Sequence, residues 1–406
     1  MTSIDALYER ILNGLSGPND TAGIRIAATY APALGPGSKI YPPTFPVTTP
    51  DKDWKRYLVD NRFDSTGNPV QAVLVDSIQS QANRLEEALQ DALDAGDVSF
   101  PVLDLVFPFD GRDNHITNLV APHRSVDAYF RDAERDGIDW ESTPVGKELL
   151  AATARTARPL FRQTPTDLFL GHWESQRKTQ RSRKIARAYS SEMIGLNPQM
   201  GRSAAVRIDP FEIVGAMKVS LPKGTPPAEW VFVGDSKAGE KPSKVNLGNV
   251  PSTEDGKEPR TWVGTSVTAV DRLGFISFAA LQRFSFPDAD RTPDRAIDAA
   301  GRAVLAALAL YGDRRAFASA GLFLRSGCDL VLRSEALSFL STGEVLDPLA
   351  VNVADAADLV KHAVAKAAAL GLTFADSITL QPKAKLVQLV EQSMRHIGGD
   401  DAGNGE

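Results

Sequence analysis

Residues 70–93 leave the chain few arrangements. A short run rich in β-formers, Val70–Val75, continues without a linker into Asp76-Ser77-Ile78-Gln79-Ser80-Gln81-Ala82-Asn83-Arg84-Leu85-Glu86-Glu87-Ala88-Leu89. Asp76 or Ser77 can cap a helix here, with Gln79 completing a capping box three residues after Asp76. Ile78, Ala82, Leu85, Leu89 and Leu93 recur at spacings of three and four and form one apolar stripe. A strand that runs straight into such a helix lays the stripe on its own sheet, so the pattern predicts an α+β core.

The rest of the chain supplies the partners. Residues 3–14 read as an opening helix, and Gly23–Tyr30 as a strand with Ile24 and Ile26 on one face and Arg25 on the other. Arg56–Phe63 and Val70–Val75 read as a hairpin around Gly67-Asn68, and Val102–Phe107 as a short strand. Residues 125–163 read as mixed helix and loop, and a helix is expected at about Arg183–Ile194, stopped by Gly195 and Asn197-Pro198. Further β patterns lie at Phe211–Ser220, Trp230–Val233 and Gly274–Phe286, with a hairpin over Ala320–Arg333. Apolar helices are expected at 293–311, 354–370 and 384–397. A long helix after each sheet segment predicts a sheet with one face covered by two helices and the other open, a platform suited to single-stranded RNA. The reading is one domain over 1–397 with three insertions. These are a Pro-rich arm at 31–55, a helical and basic insertion at 110–200, and a flexible insertion at 234–260; an acidic, disordered tail follows at 398–406.

Charge narrows the function. The 406 residues carry a formal net charge of −6, with 43% hydrophobic and 24% charged residues, which excludes a globally basic nucleic-acid binder. Yet Arg177, Lys178, Arg181, Arg183, Lys184 and Arg187 follow one another with no acid between them. Gln, Ser and Thr donors separate them, and His172 and Trp173 precede them. Single-sign cations with hydrogen-bond donors and an aromatic face suit a polyanion backbone. The first turns of the 76–93 helix add Ser77, Gln79, Ser80, Gln81, Asn83 and Arg84, polar and mostly uncharged residues whose amides and hydroxyls suit phosphate and sugar contacts at the positive end of a helix.

Other features set bounds. A single cysteine, Cys328, excludes an intramolecular disulfide. The opening residues have no basic n-region or apolar h-region, and no apolar run is long enough to span a bilayer, so a cytoplasmic location is expected. No Walker loop, dinucleotide fingerprint, His-Glu-x-x-His or nucleophile elbow is present. Asp104, Asp110, Asp113, His115 and His123 invite a metal reading, but they cluster around Pro108 and Gly111, where Asp is ordinary turn chemistry. The expectation is no cofactor, no metal and no catalytic residue. Two rivals stand beside it: a ribonuclease using Asp104, Asp110 or His115, and a protein-interaction domain whose basic stretch meets an acidic partner.

The 74–89 motif, Tyr30-Ala31-Pro32, Tyr41-Pro42-Pro43-Thr44-Phe45-Pro46, the Gly171–Gly195 stretch, Arg207-Ile208-Asp209-Pro210 and Leu324-Arg325-Ser326-Gly327-Cys328-Asp329-Leu330-Val331 together resemble one family. It is the RAMP-type backbone subunit of the type I-U (I-G) CRISPR effector complex, and the resemblance runs from about 20 to 335. It implies a modified RNA-recognition-motif, ferredoxin-like palm with a thumb-like arm. It implies copies stacked head to tail on a guide RNA (crRNA) that pairs with target DNA. It also implies partner effector subunits, namely a large subunit and a repeat-processing or cap subunit, and no membrane. On that basis the 177–187 cations and Ser77–Arg84 would hold guide phosphates. Arg25, Arg56, Asn61 and Arg62 would face the RNA, and either the arm with Lys39 and Tyr41 or the 234–260 insertion would be the thumb.

Overall fold

The computed structural model of the chain describes residues 3–45, 57–64, 66–109, 111–174, 183–202, 208–213, 216–222, 227–234, 239–248, 262–288 and 292–400. They form two compact units, residues 1–199 with 265–383, and residues 200–264 with 384–406.

The first unit opens with α1 (Ile4–Leu15), capped by the Ser3 hydroxyl, and β1 (Thr21–Pro32). β2 (Val59–Phe63) and β3 (Pro69–Asp76) are joined by a turn in which the Asp64 carboxylate accepts from the backbone of Thr66 and Asn68. Then α2 (Ile78–Asp94) follows β3 directly, with Ala82, Leu85 and Leu89 of its stripe buried. β4 (Leu103–Phe109) and β5 (Arg112–Thr117) make a second hairpin. After it come α3 (Ala128–Arg131), β6 (Ala133–Arg135), β7 (Ile138–Asp139), α4 (Pro144–Ala151), α5 (Arg158–Gln163) and α6 (Thr166–Leu170).

Next are β8 (His172–Glu174), β9 (Arg183–Ile185) and β10 (Tyr189–Leu196). The helix expected over Arg183–Ile194 is therefore replaced by two strands. Tyr189, Ser191 and Met193 are buried while Ser190 and Glu192 are half-buried, a period of two. β10 is also paired on both sides, so sheet hydrogen bonding overrides the helical preference of the Arg-Lys-Ile-Ala-Arg-Ala run.

Further on are β11 (Gln199–Arg202), β12 (Lys218–Ser220), β13 (Val231–Gly234) and β14 (Trp262–Ser266), with β12 paired to β13. The strand expected over Phe211–Ser220 shortens to β12, because the Asp209 carboxylate accepts from the Phe211 backbone and turns the chain there. β15 (Val270–Ser277) ends earlier than expected, since the Ser277 hydroxyl caps α7 (Phe278–Leu281). α8 (Arg295–Phe317), β16 (Gly321–Arg325), β17 (Cys328–Ser341), β18 (Val345–Leu349), α9 (Val353–Ala369) and β19 (Ile378–Pro382) complete the first unit, and α10 (Ala384–Asp400) belongs to the second.

The large sheet has the order β16-β17-β1-β15-β10-β3-β2, with β18 also on β17. Within it, β1, α2, β10, β15, α8 and β17 follow one another as β-α-β-β-α-β, in spatial order β17-β1-β15-β10, the ferredoxin-like arrangement. The β2–β3 hairpin is inserted after β1 and extends the sheet beyond β10. Ile24, Ile26 and Tyr30 of β1 and Val270, Arg272 and Ile276 of β15 point to the helix side and are buried. The other face carries exposed Arg25 directly opposite Phe275, and Ala27 opposite exposed Leu273. A second sheet, β5-β4-β19-β6-β7, joins β4 to β19 in parallel.

Every residue of α8 from Asp298 to Arg314 is buried, which accounts for its all-round apolar, Ala-rich sequence. Its small residues allow close approach. A Cβ on Gly312 would meet the Leu85 side chain of α2 at 2.7 Å, and one on Gly301 would meet Phe286 at 2.5 Å.

A polar network crosses this core. The fully buried Arg272 guanidinium pairs with Asp313 of α8, donates to Tyr189 Oη at 3.0 Å and Gln81 Oε1 at 3.1 Å, and lies 3.7 Å from the Phe317 ring centroid. Arg314 donates to Asp313 and Glu335, each at 2.7 Å. Burial pushes the Asp313 carboxyl up, but the two guanidiniums outweigh it and hold the group below the ordinary carboxylate range. Removing one partner strands a buried charge. Arg272→Met is expected to cost about 3–5 kcal/mol in urea unfolding, and Arg272→Met with Asp313→Leu less than the single change.

Candidate nucleic-acid interface

The start of α2 is built from its own side chains. The Ser77 hydroxyl accepts from Ser80 N at 3.2 Å. Asp76, which the capping-box reading pairs with Gln79, is instead fully buried and accepts from Gln81 Nε2 at 2.6 Å and Arg84 Nε at 2.9 Å. Gln79 and Asn83 are exposed, whereas Ser77, Ser80 and Arg84 are half-buried. Arg325, in the β16–β17 turn, reaches the same carboxylate at 3.5 Å and donates to Val75 O at 3.3 Å. Two guanidiniums thus share one acid beside the positive end of a seventeen-residue helix, which leaves a local surplus of positive charge. Sequence reasoning placed Arg325 in a motif but not in the site; only the turn that folds it back onto α2 gives it this position.

The Pro-rich arm is fastened beside that turn. Ile40 and Thr265 exchange backbone hydrogen bonds at 2.8 and 2.9 Å, and Tyr41 N donates to Gly327 O at 3.1 Å. Gly327 has φ +72°, and a Cβ on it would lie 2.4 Å from the Tyr41 ring, so ring and turn require each other. Ile40 is buried, so the arm packs at that point, and Lys39 and Tyr41 are half-buried.

The basic stretch begins on the β8–β9 hairpin. α6 ends at Gly171 (φ +80°), where a Cβ would sit 2.6 Å from Ile185 O. Trp173 lies opposite Lys184, is 62% exposed, and has the Lys184 ammonium 6.0 Å from its ring centroid. His172, Glu174 and Ile185 are turned inward and buried. His172, placed with the RNA contacts by sequence, is instead buried, its Nδ1 3.3 Å from Asp167 Oδ2. Arg187 is exposed beside Gly171. Arg56, Arg177, Lys178 and Arg181 lie outside the described residues, as does the Arg183 side chain.

The hairpin base is tied to α2. Arg124 donates to both Glu86 carboxylate oxygens, at 2.6 and 3.1 Å, and to Gly171 O at 2.8 Å. On the open sheet face Arg25 is exposed and Arg62 is occupied by Glu192 at 2.5 and 3.2 Å, whereas exposed Asn61, the residue before Arg62 on β2, points to the opposite face.

The residues of the nuclease reading lie on the β4–β5 hairpin. Asp104 Oδ2 is 2.8 Å from His115 Nδ1, and the hydrogen bond to Asp104, with the charges of Asp104, Asp113 and Asp94, pushes the exposed imidazole up from its ordinary value. Asp113 shares that face, His123 is exposed, and Asp110 lies outside the described residues. Among the described residues no group of three or more His, Cys, Asp or Glu could hold a metal ion, and no helix is long and apolar enough to cross a membrane.

Burial pushes Glu86 up to about 7, with Arg124 opposing and Asp167 adding to the rise. The folded state then holds a proton that the unfolded chain releases near pH 4.5. Glu86 therefore makes stability fall as pH rises from about 4.5 to 7, by at most about 1.4 kcal/mol per pH unit. Urea midpoints followed from pH 5 to 7 are expected to show this slope in the native chain and not in Glu86→Gln.

Residues 24–199 match the model of the family described as CRISPR-associated protein GSU0053. No curated protein matches the chain.

Proposed function

We propose that the chain, whose residues 24–199 match the model of a CRISPR-associated family, is the non-catalytic crRNA-binding backbone subunit of a type I-U effector complex. Copies polymerise head to tail along the guide, hold its backbone, and present its bases to target DNA, beside a large subunit and a repeat-processing or cap subunit. A heterologous contact that does not close produces a helical filament whose length the RNA sets.

The observation that carries this reading is that the cationic features converge on α2. At its start, Arg84 and Arg325 flank Asp76 next to exposed Gln79 and Asn83. Two turns on, Glu86 anchors through Arg124 the hairpin that offers Trp173 and Lys184. One rigid helix thus spaces a phosphate-binding end and an aromatic–cation pair, which fits an RNA held by its backbone and 2′-hydroxyls, with sequence left to base pairing.

The Asp104–His115 pair favours a second reading, an acid–base ribonuclease. Its neighbours Asp94 and Asp113 would repel a phosphodiester, so the binding reading stands first.

Coexpression with a repeat–spacer transcript and the partner subunits tests both. Guide-length RNA is expected to copurify with several protein copies and to be lost when Arg181, Arg183 and Lys184 become Glu together. A nucleic-acid-free monomer would overturn the binding reading. Regular shortening of target RNA, abolished by Asp104→Asn, would replace it with the nuclease.

A further inference from the structure

We propose that Arg124 is the positioning residue of the β8–β9 hairpin, setting where Trp173 and Lys184 meet RNA while not touching RNA itself. The inference rests on the RNA-binding reading above.

Arg124 sits in a short turn, Arg124–Val126, with φ +56°, a left-handed conformation that a side chain rarely adopts without compensation. The compensation is visible. Its guanidinium takes both oxygens of Glu86, which is 4% exposed on α2, and the Gly171 carbonyl at the head of β8. A planar fork makes these three contacts together, whereas an ammonium has no fixed geometry for them. The next residue, Ser125, donates through Oγ to Asp167, which also holds His172 Nδ1.

Two successive residues therefore grip the α6–β8 junction from both sides. The junction has little freedom to adapt. Gly171 admits no side chain against Ile185 O and the Arg187 backbone, and Ala188 N donates to Phe169 O at 2.8 Å. Trp173 follows His172 directly, and Lys184 is its cross-strand partner. A shift at Gly171 is thus passed to the exposed pair two residues later. The Arg124 side chain is itself only 17% exposed, and each of its three nitrogens donates to a protein acceptor, so it acts through the hairpin.

A double-mutant cycle tests this, using the full chain and a fluorescently labelled single-stranded RNA at fixed salt. Arg124→Lys is expected to weaken binding ~tenfold in the native background and to change nothing further in Trp173→Ala/Lys184→Ala. Hydrogen exchange should speed up at the β8–β9 amides and stay unchanged in β1 and β15. Arg124→Lys keeps a charge against Glu86, so it reads position where Arg124→Ala risks unfolding. Undiminished affinity in Arg124→Lys, or a loss that adds in full to the Trp173/Lys184 loss, overturns the positioning role while the RNA reading survives. Native affinity in Trp173→Ala/Lys184→Ala removes the hairpin from the RNA interface and overturns the positioning role alone, whereas no RNA binding by the native chain overturns the RNA reading itself.

Discussion

The pairing of Arg272 with Asp313 is the constraint on which the palm depends. An ion pair this deep is tolerated only when further hydrogen bonds back it, because desolvation otherwise exceeds the Coulombic gain. Tyr189 from β10, Gln81 from α2 and Arg314 from α8 supply those contacts, and Phe317 covers the guanidinium. The network fixes both helices over the sheet in one register, where apolar packing alone would allow sliding.

Through Gln81 that network continues to Asp76, and through Asp76 to Arg84 and Arg325. The groups best placed to meet a nucleic-acid backbone are thus the outer end of the same chain of contacts that organises the core. α2 gives one side to the core, its start to this cationic edge, and Glu86 to the base of the β8–β9 hairpin. Its polar residues divide accordingly between a buried network and an exposed edge.

Much of the architecture is legible in the sequence because it rests on local patterns. The β2–β3 hairpin, α2, α8, α9 and the start of α10 follow from turn residues and apolar spacing. Arg183–Ile194 reads as helix because Lys184, Ala186, Arg187 and Ala188 favour helix locally, while partner strands far away in the chain make β10 a strand. The site was half legible. Basic charge and the polar start of α2 announce themselves, yet whether a polar residue is buried depends on distant partners. Gln81 and His172 look like Asn83 and Trp173 on the page, and only Ser191, Arg272 and Asp167 separate them.

The parallel pairing of β4 with β19 has a consequence for the order in which the protein is made. Leu103 lies beside Ile378, so β4 emerges early with one edge open and waits for nearly the whole chain to be synthesised. β1 likewise waits for β15 and β17. Such long-range closure is slow and leaves apolar strand edges exposed on the ribosome. Neither sheet is complete until the last part of the chain arrives, so a transcript broken before the β19 codons yields a protein with an unpaired β4 edge.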